Sequence, residues 1–221
     1  MNKFILPRRK ALASSLGLLA VPALIGRAFA LENAKSSDAI LGGFGSALNT
    51  DEKQTVHGVY HAVFRDGDGA VYHEEKFDNL LTTLGKNFLE DEALAGSSYT
   101  VVGPFMGLIS STSFSAVSAS DTMASHAGWL EAGTTNAPTY AARLNVAWSA
   151  ASGGTKSLSS ALTFTFTGAG TVQGAFIAIG TGAVSTNLST AGTLFSAGAL
   201  GTAQPVISGN TLAMSYSVTI T

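Results

Sequence analysis

From Ser157 to Thr221 the chain carries no Asp, Glu, Lys or Arg, yet it keeps Phe164, Phe166, Phe176, Phe195 and Tyr216. Disorder goes with high charge and few aromatics, so this segment is expected to fold. Its alternating runs read as strands, in which every second residue points inward. The aromatics then fill a core, and the outward positions fall to Thr, Ser, Ala and Gly. A free monomer guards its edge strands with charges such as Lys, and this segment has none. A neighbouring chain is therefore the expected cover. Soluble oligomers mostly close with cyclic symmetry, and a homo-oligomer is expected here, a trimer in preference to a dimer.

The charge deficit extends beyond that segment. Charged residues make up 12% of the 221 residues, about half the usual ~25%. After Thr100 the charged side chains are Asp121, Glu131, Arg143 and Lys156. The net charge of −2 leaves no basic footprint for nucleic acid. The absence of Cys excludes a disulfide scaffold, a thiol nucleophile and a cysteine zinc site.

Residues 1–30 permit two readings. Lys3, Arg8, Arg9 and Lys10 form a basic start, Ala11 to Ile25 an apolar run, and Ala28-Phe29-Ala30 a small-x-small site. That order is a secretory signal, with paired arginines like the twin-arginine type. The alternative is a retained apolar arm that packs on another subunit. A stable membrane span needs about 20 apolar residues, and this run is shorter and holds Gly17 and Pro22. Residues 31–55 are rich in Gly, Ser and Asn and read as a linker or extended arm.

Residues 56–221 read as one mainly-β domain, a β-sandwich or jelly roll with a single covering helix. "TVHGVYHAVF" and "VYHEEKF" flank an Asp-Gly turn, which predicts a hairpin. Leu80, Leu84 and Phe88 recur at helical spacing, with Gly96 as the stop. "YTVVGPFMGLIS" is a strand interrupted at Gly103-Pro104, and "YAARLNVAWSA" a weak one. "ALTFTFTGAGTVQGAFIAIG" predicts a second hairpin, turning at Gly168 to Gly170. "GTLFSAGAL" and "NTLAMSYSVTIT" complete the strands.

The motifs carry little chemistry. Asp66-Gly67-Asp68-Gly69 lacks the Gly and Glu that an EF-hand loop needs at its sixth and twelfth positions. His57 and His61 on one strand stand roughly 13 Å apart, too far for one metal ion. "DTMASHAGWLEAG" gathers Asp121, Ser125, His126 and Glu131. Neighbouring side chains on a strand point to opposite faces, so Ser125 and His126 cannot form a dyad. Asp121 and Glu131 are the acids of the strand-rich half that a glycosidase-like pair would require, and nothing in their spacing brings them together. No catalytic residue, metal site or cofactor is expected.

Three stretches carry a resemblance. They are the Asn-Leu-x-Thr-x-x-Gly-Lys-Asn start at residues 79–87, the Gly107-Leu108-Ile109 strand and the DTMASHAGW core with Glu131. Tyr140, Arg143, "GTVQGAFI" and "SGNTLAMSYSVT" follow in order. Over about Val56 to Thr221 the chain resembles a family of tailed-bacteriophage virion structural proteins; residues 1–50 lie outside the likeness. The resemblance implies a non-enzymatic particle component, most nearly a capsid decoration or cement protein, with capsid or other virion proteins as partners. Asp121, His126, Trp129, Glu131 and Arg143 are then the expected subunit contacts. Asp121 and Glu131 would cap turns or pair with Arg143, and Trp129 would anchor its loop in the core or at a contact. The alternative is an exported bacterial surface or binding protein, in the periplasm or at the cell surface, released from a cleaved signal.

Overall fold

The computed structural model describes residues 55–94 and 102–221. The expectations for residues 1–54 and for Gly96 lie outside them. The described chain is a mainly-β sandwich with one helix.

The first hairpin forms as its pattern predicts. Strands β1 (Val56–Arg65) and β2 (Val71–Asp78) pair antiparallel, with Tyr60 opposite Phe77. The turn is held by Asp66, whose Oδ1 accepts from the Asp68 and Ala70 amides at 3.0 and 2.8 Å. Gly69 supplies φ +86° there, a conformation that side chains disfavour. Alternation along β1 turns Tyr60, Ala62 and Phe64 inward.

The helix begins later than its apolar spacing predicts. Leu80–Leu81 is a short strand, β3, on residues 196 and 197 of a later strand. Helix α1 (Thr83–Leu94) begins after Thr82. The Thr82 hydroxyl accepts from the Gly85 amide at 2.9 Å, the side-chain cap that unpaired first-turn amides require. Phe88 is buried, whereas Leu84 is 41% exposed. The buried face runs through Gly85 and Phe88, because Gly85 rests on the backbone of Phe195.

The remaining strands are β4 (Phe105–Ser110), β5 (Leu130–Glu131), β6 (Leu144–Asn145), β7 (Thr155–Ser157), β8 (Leu162–Thr165), β9 (Gly170–Ile179), β10 (Thr193–Val206) and β11 (Thr211–Ile220). The first sheet runs β2-β1-β11, with β7 and β8 pairing different halves of the far side of β11. The second runs β3-β10-β9-β4, with β5 and β6 sharing the outer side of β4. All these pairings are antiparallel.

The expected second hairpin is not one. β8 pairs β11 in the first sheet, and β9 lies between β10 and β4 in the second. The Gly168–Gly170 turn therefore carries the chain from one sheet to the other. Phe164 and Phe166 do share a face, and both are buried between the sheets. The interior also takes Met106 and Leu108 from β4, Ala175 and Ile177 from β9, and Leu212, Met214 and Tyr216 from β11.

The second sheet is buried on both faces. Phe176 and Ala178 of β9 point away from the sandwich, into a separate cluster with Ile109, Met123, Trp129, Leu194 and Ala197. Their cover is the loop between β4 and β5. No helix among the described residues is long and apolar enough to cross a membrane.

Candidate functional site

The DTMASHAGW stretch is the end of that covering loop. Its two arms touch: the Ser115 amide donates to the Gly128 carbonyl at 2.8 Å. A Cβ on Gly128 would stand 2.2 Å from the Ala116 carbonyl oxygen, so the close approach requires glycine. Thr122 and Ser125 close a tight turn, each amide donating to the other's carbonyl. The Ala119 carbonyl accepts from the Thr83 amide at 2.8 Å and ties the loop to the start of α1.

Trp129 is the plug. It is 1% exposed and lies in a column of rings, with His126 stacked at 3.9 Å on one side and Phe176 at 5.3 Å on the other. The Arg143 guanidinium sits 5.3 Å from the Phe176 centroid. Gly107 makes room for the Phe176 ring, since a Cβ there would come within 2.4 Å of it. Burying an indole N–H without a partner costs free energy. Asp121 supplies that partner: its Oδ2 accepts from Trp129 Nε1 at 2.9 Å and from the Ser118 amide at 2.8 Å. The His126 Nδ1–H donates to the Trp129 carbonyl at 2.9 Å.

Glu131 and Arg143 form the second fastening. Arg143 Nε and Nη2 donate to the two carboxylate oxygens at 2.8 and 2.6 Å, and both side chains are nearly inaccessible. The fork geometry suits a carboxylate. The remaining donors reach the Val184 and Ser189 carbonyls at 3.3 and 2.8 Å. Glu131 Oε2 also accepts from the Leu188 amide at 2.8 Å. The pair thus holds the β9–β10 loop against β5 and the segment leading to β6.

Of the two expected roles, Asp121 closes a turn and Glu131 pairs with Arg143. Their expected role as subunit contacts rests on the resemblance alone. Asp121, Trp129, Glu131 and Arg143 are buried within the chain, and His126 is half-buried on the Trp129 ring. Trp129, Glu131 and Arg143 bond internally, as do Asp121 Oδ2 and His126 Nδ1, so the arrangement works as a clamp. Sequence reading gave Phe176 to the core and noted Tyr140, but it did not show that Phe176 packs on the Trp129 ring or that Tyr140 bonds to β4. The Tyr140 hydroxyl accepts from the Leu108 amide at 3.0 Å, and its carbonyl accepts from Asn187 Nδ2 at 3.1 Å. Burial raises the Tyr140 hydroxyl pKa, and the Glu131 charge adds to the rise.

The other histidines line the first hairpin, each beside a carboxylate: His57 by Asp78, His61 by Glu74 and His73 by Glu75, at 3.4, 2.8 and 3.1 Å. Among the described residues no three His, Asp or Glu side chains converge as metal ligands.

The outer face of the first sheet is different in kind. β11 turns Thr211, Ala213, Ser215, Ser217 and Thr219 outward, all half-buried and uncharged. A shallow depression of about 450 Å³ lies over this face, between Val59, His61 and Lys76 on one side and Ser157 on the other.

Comparison with protein-family models, with curated proteins and with solved structures finds no match to the chain.

Proposed function

We propose that the chain is a non-enzymatic structural subunit of a tailed-phage particle, a capsid decoration or cement protein that packs against neighbouring subunits. The observation that carries this reading is the use made of the 121–143 residues. The polar cluster of that stretch is a clamp with its acids, tryptophan and arginine bonded inward. Fastened loops and the uncharged outward row of β11 are properties a packing subunit uses. Mass spectrometry of purified particles should find the chain at many copies, and imaging should place it on the head. Particles that lack it would refute the reading.

A specific sequence feature favours a second reading, an exported surface or binding protein. The basic start, apolar run and Ala28-Phe29-Ala30 site have the order of a secretory signal. Sequencing the amino terminus of the mature protein separates the two. A start at Leu31 supports export, and a start at Met1 or Asn2 supports an arm kept for assembly.

A further inference from the structure

We propose that the end of the sandwich beneath α1 is a binding site for a small amphipathic monocarboxylate, an aliphatic or aromatic tail ending in a single carboxylate. The inference does not rest on the virion reading. Residues of α1 and of both sheets enclose a cavity of about 220 Å³ here. Phe88 of the helix, Ile177 and Ile179 of β9 and Phe195 of β10 form its walls, and Trp148 flanks it from the edge of the first sheet. Protein interiors are close-packed, and apolar cavities of this kind take up apolar molecules. Ligand pockets usually span ~300–1,000 Å³, so this one suits a ring or a short chain.

Lys156 sets the charge of the ligand. It is the last charged residue before the uncharged segment, and it lines this cavity from β7, opposite Val218. Its ammonium donates to the Ser149 carbonyl at 3.1 Å and makes no ion pair among the described residues. An ammonium has three donors. A carboxylate at the cavity mouth would take the others, while its tail lies along the apolar walls.

The test uses the full chain with octanoate, octanol and octylamine as probes, read by tryptophan fluorescence and by calorimetry. Octanoate should bind saturably and change the emission of Trp148, a signal lost in Trp148→Phe while the calorimetric signal persists. Lys156→Gln should weaken octanoate about tenfold, the loss of a charge-assisted bond, and leave octanol unchanged. Val218→Phe, which fills the cavity, should abolish binding and keep the protein folded. The proposal is overturned by non-saturating octanoate binding, by octanol or octylamine binding as tightly as octanoate, or by octanoate binding that survives Val218→Phe.

Discussion

Arg143 and Glu131 are each tolerable in this interior only because of the other. Removing one partner of a buried pair leaves an uncompensated charge and costs about 3–5 kcal/mol. Arg143→Met should lose stability on that scale in urea unfolding. The double change Glu131→Leu with Arg143→Met should lose less, because no charge is then stranded. The tyrosines add a pH dependence. Burial raises the pKa of Tyr60, Tyr140 and Tyr216 above the ordinary value near 10. The unfolded chain then ionises first as pH rises. Stability should be level up to about pH 10 and fall above it, with tyrosinate absorbance appearing together with unfolding. The Glu131–Arg143 contact was legible in the sequence as one of few options, since so few charges occupy that half. Phe176 was not, because its place in the column depends on which face of β9 meets the loop.

Helix α1 shows how a local rule loses to a contact. Replacing a helical Gly with Ala ordinarily gains about 1 kcal/mol of propensity. At Gly85 the new Cβ would lie 2.1 Å from the Phe195 carbonyl oxygen, which neither rigid element can relieve. Gly85→Ala should therefore destabilise, by about 1–3 kcal/mol, as a lowered thermal midpoint. The same competition explains which elements the sequence revealed. The β1–β2 hairpin was readable because its strands and turn are adjacent and pair with each other. Leu80 carries a helical spacing, but hydrogen bonding to β10 draws it into a strand. β8 and β9 carry hairpin signals, yet a Gly turn is equally suited to carrying a chain between sheets. The partners that decided the matter, β10 and β11, lie farther along the chain.

For the whole molecule, the uncharged half proves not to need charged edges. β9 and β11 are interior strands, and β10 is flanked by β9 and, over Ser196–Ala197, by β3. Beyond that point Gly201 donates to Glu75 at 2.8 Å, and Pro205 accepts from the Tyr72 hydroxyl at 2.9 Å. The edge at β2 carries Glu74, Glu75, Lys76 and Asp78, and the opposite edge is made of the short β7 and β8. Edge protection is thus supplied by charge and by shortness, so the argument for self-association moves from the edges to the face of β11. Ser217→Glu, outward on that face, should shift the full chain toward monomer in light scattering at micromolar concentration. Thr163→Lys, on the β8 edge, should leave it unchanged; the reverse outcome would return the contact to the edge. The central place of β11 has a consequence for the order of synthesis. A chain leaving the ribosome presents β1, β7 and β8 before the strand that joins them, and non-local pairing of this kind is slow. Until Thr211–Ile220 emerges, the first sheet has only its opening hairpin. A nascent chain is therefore exposed to chaperones and proteases until nearly the last residue described here, and a premature stop after Gly209 would forfeit the first sheet along with the segment it removed.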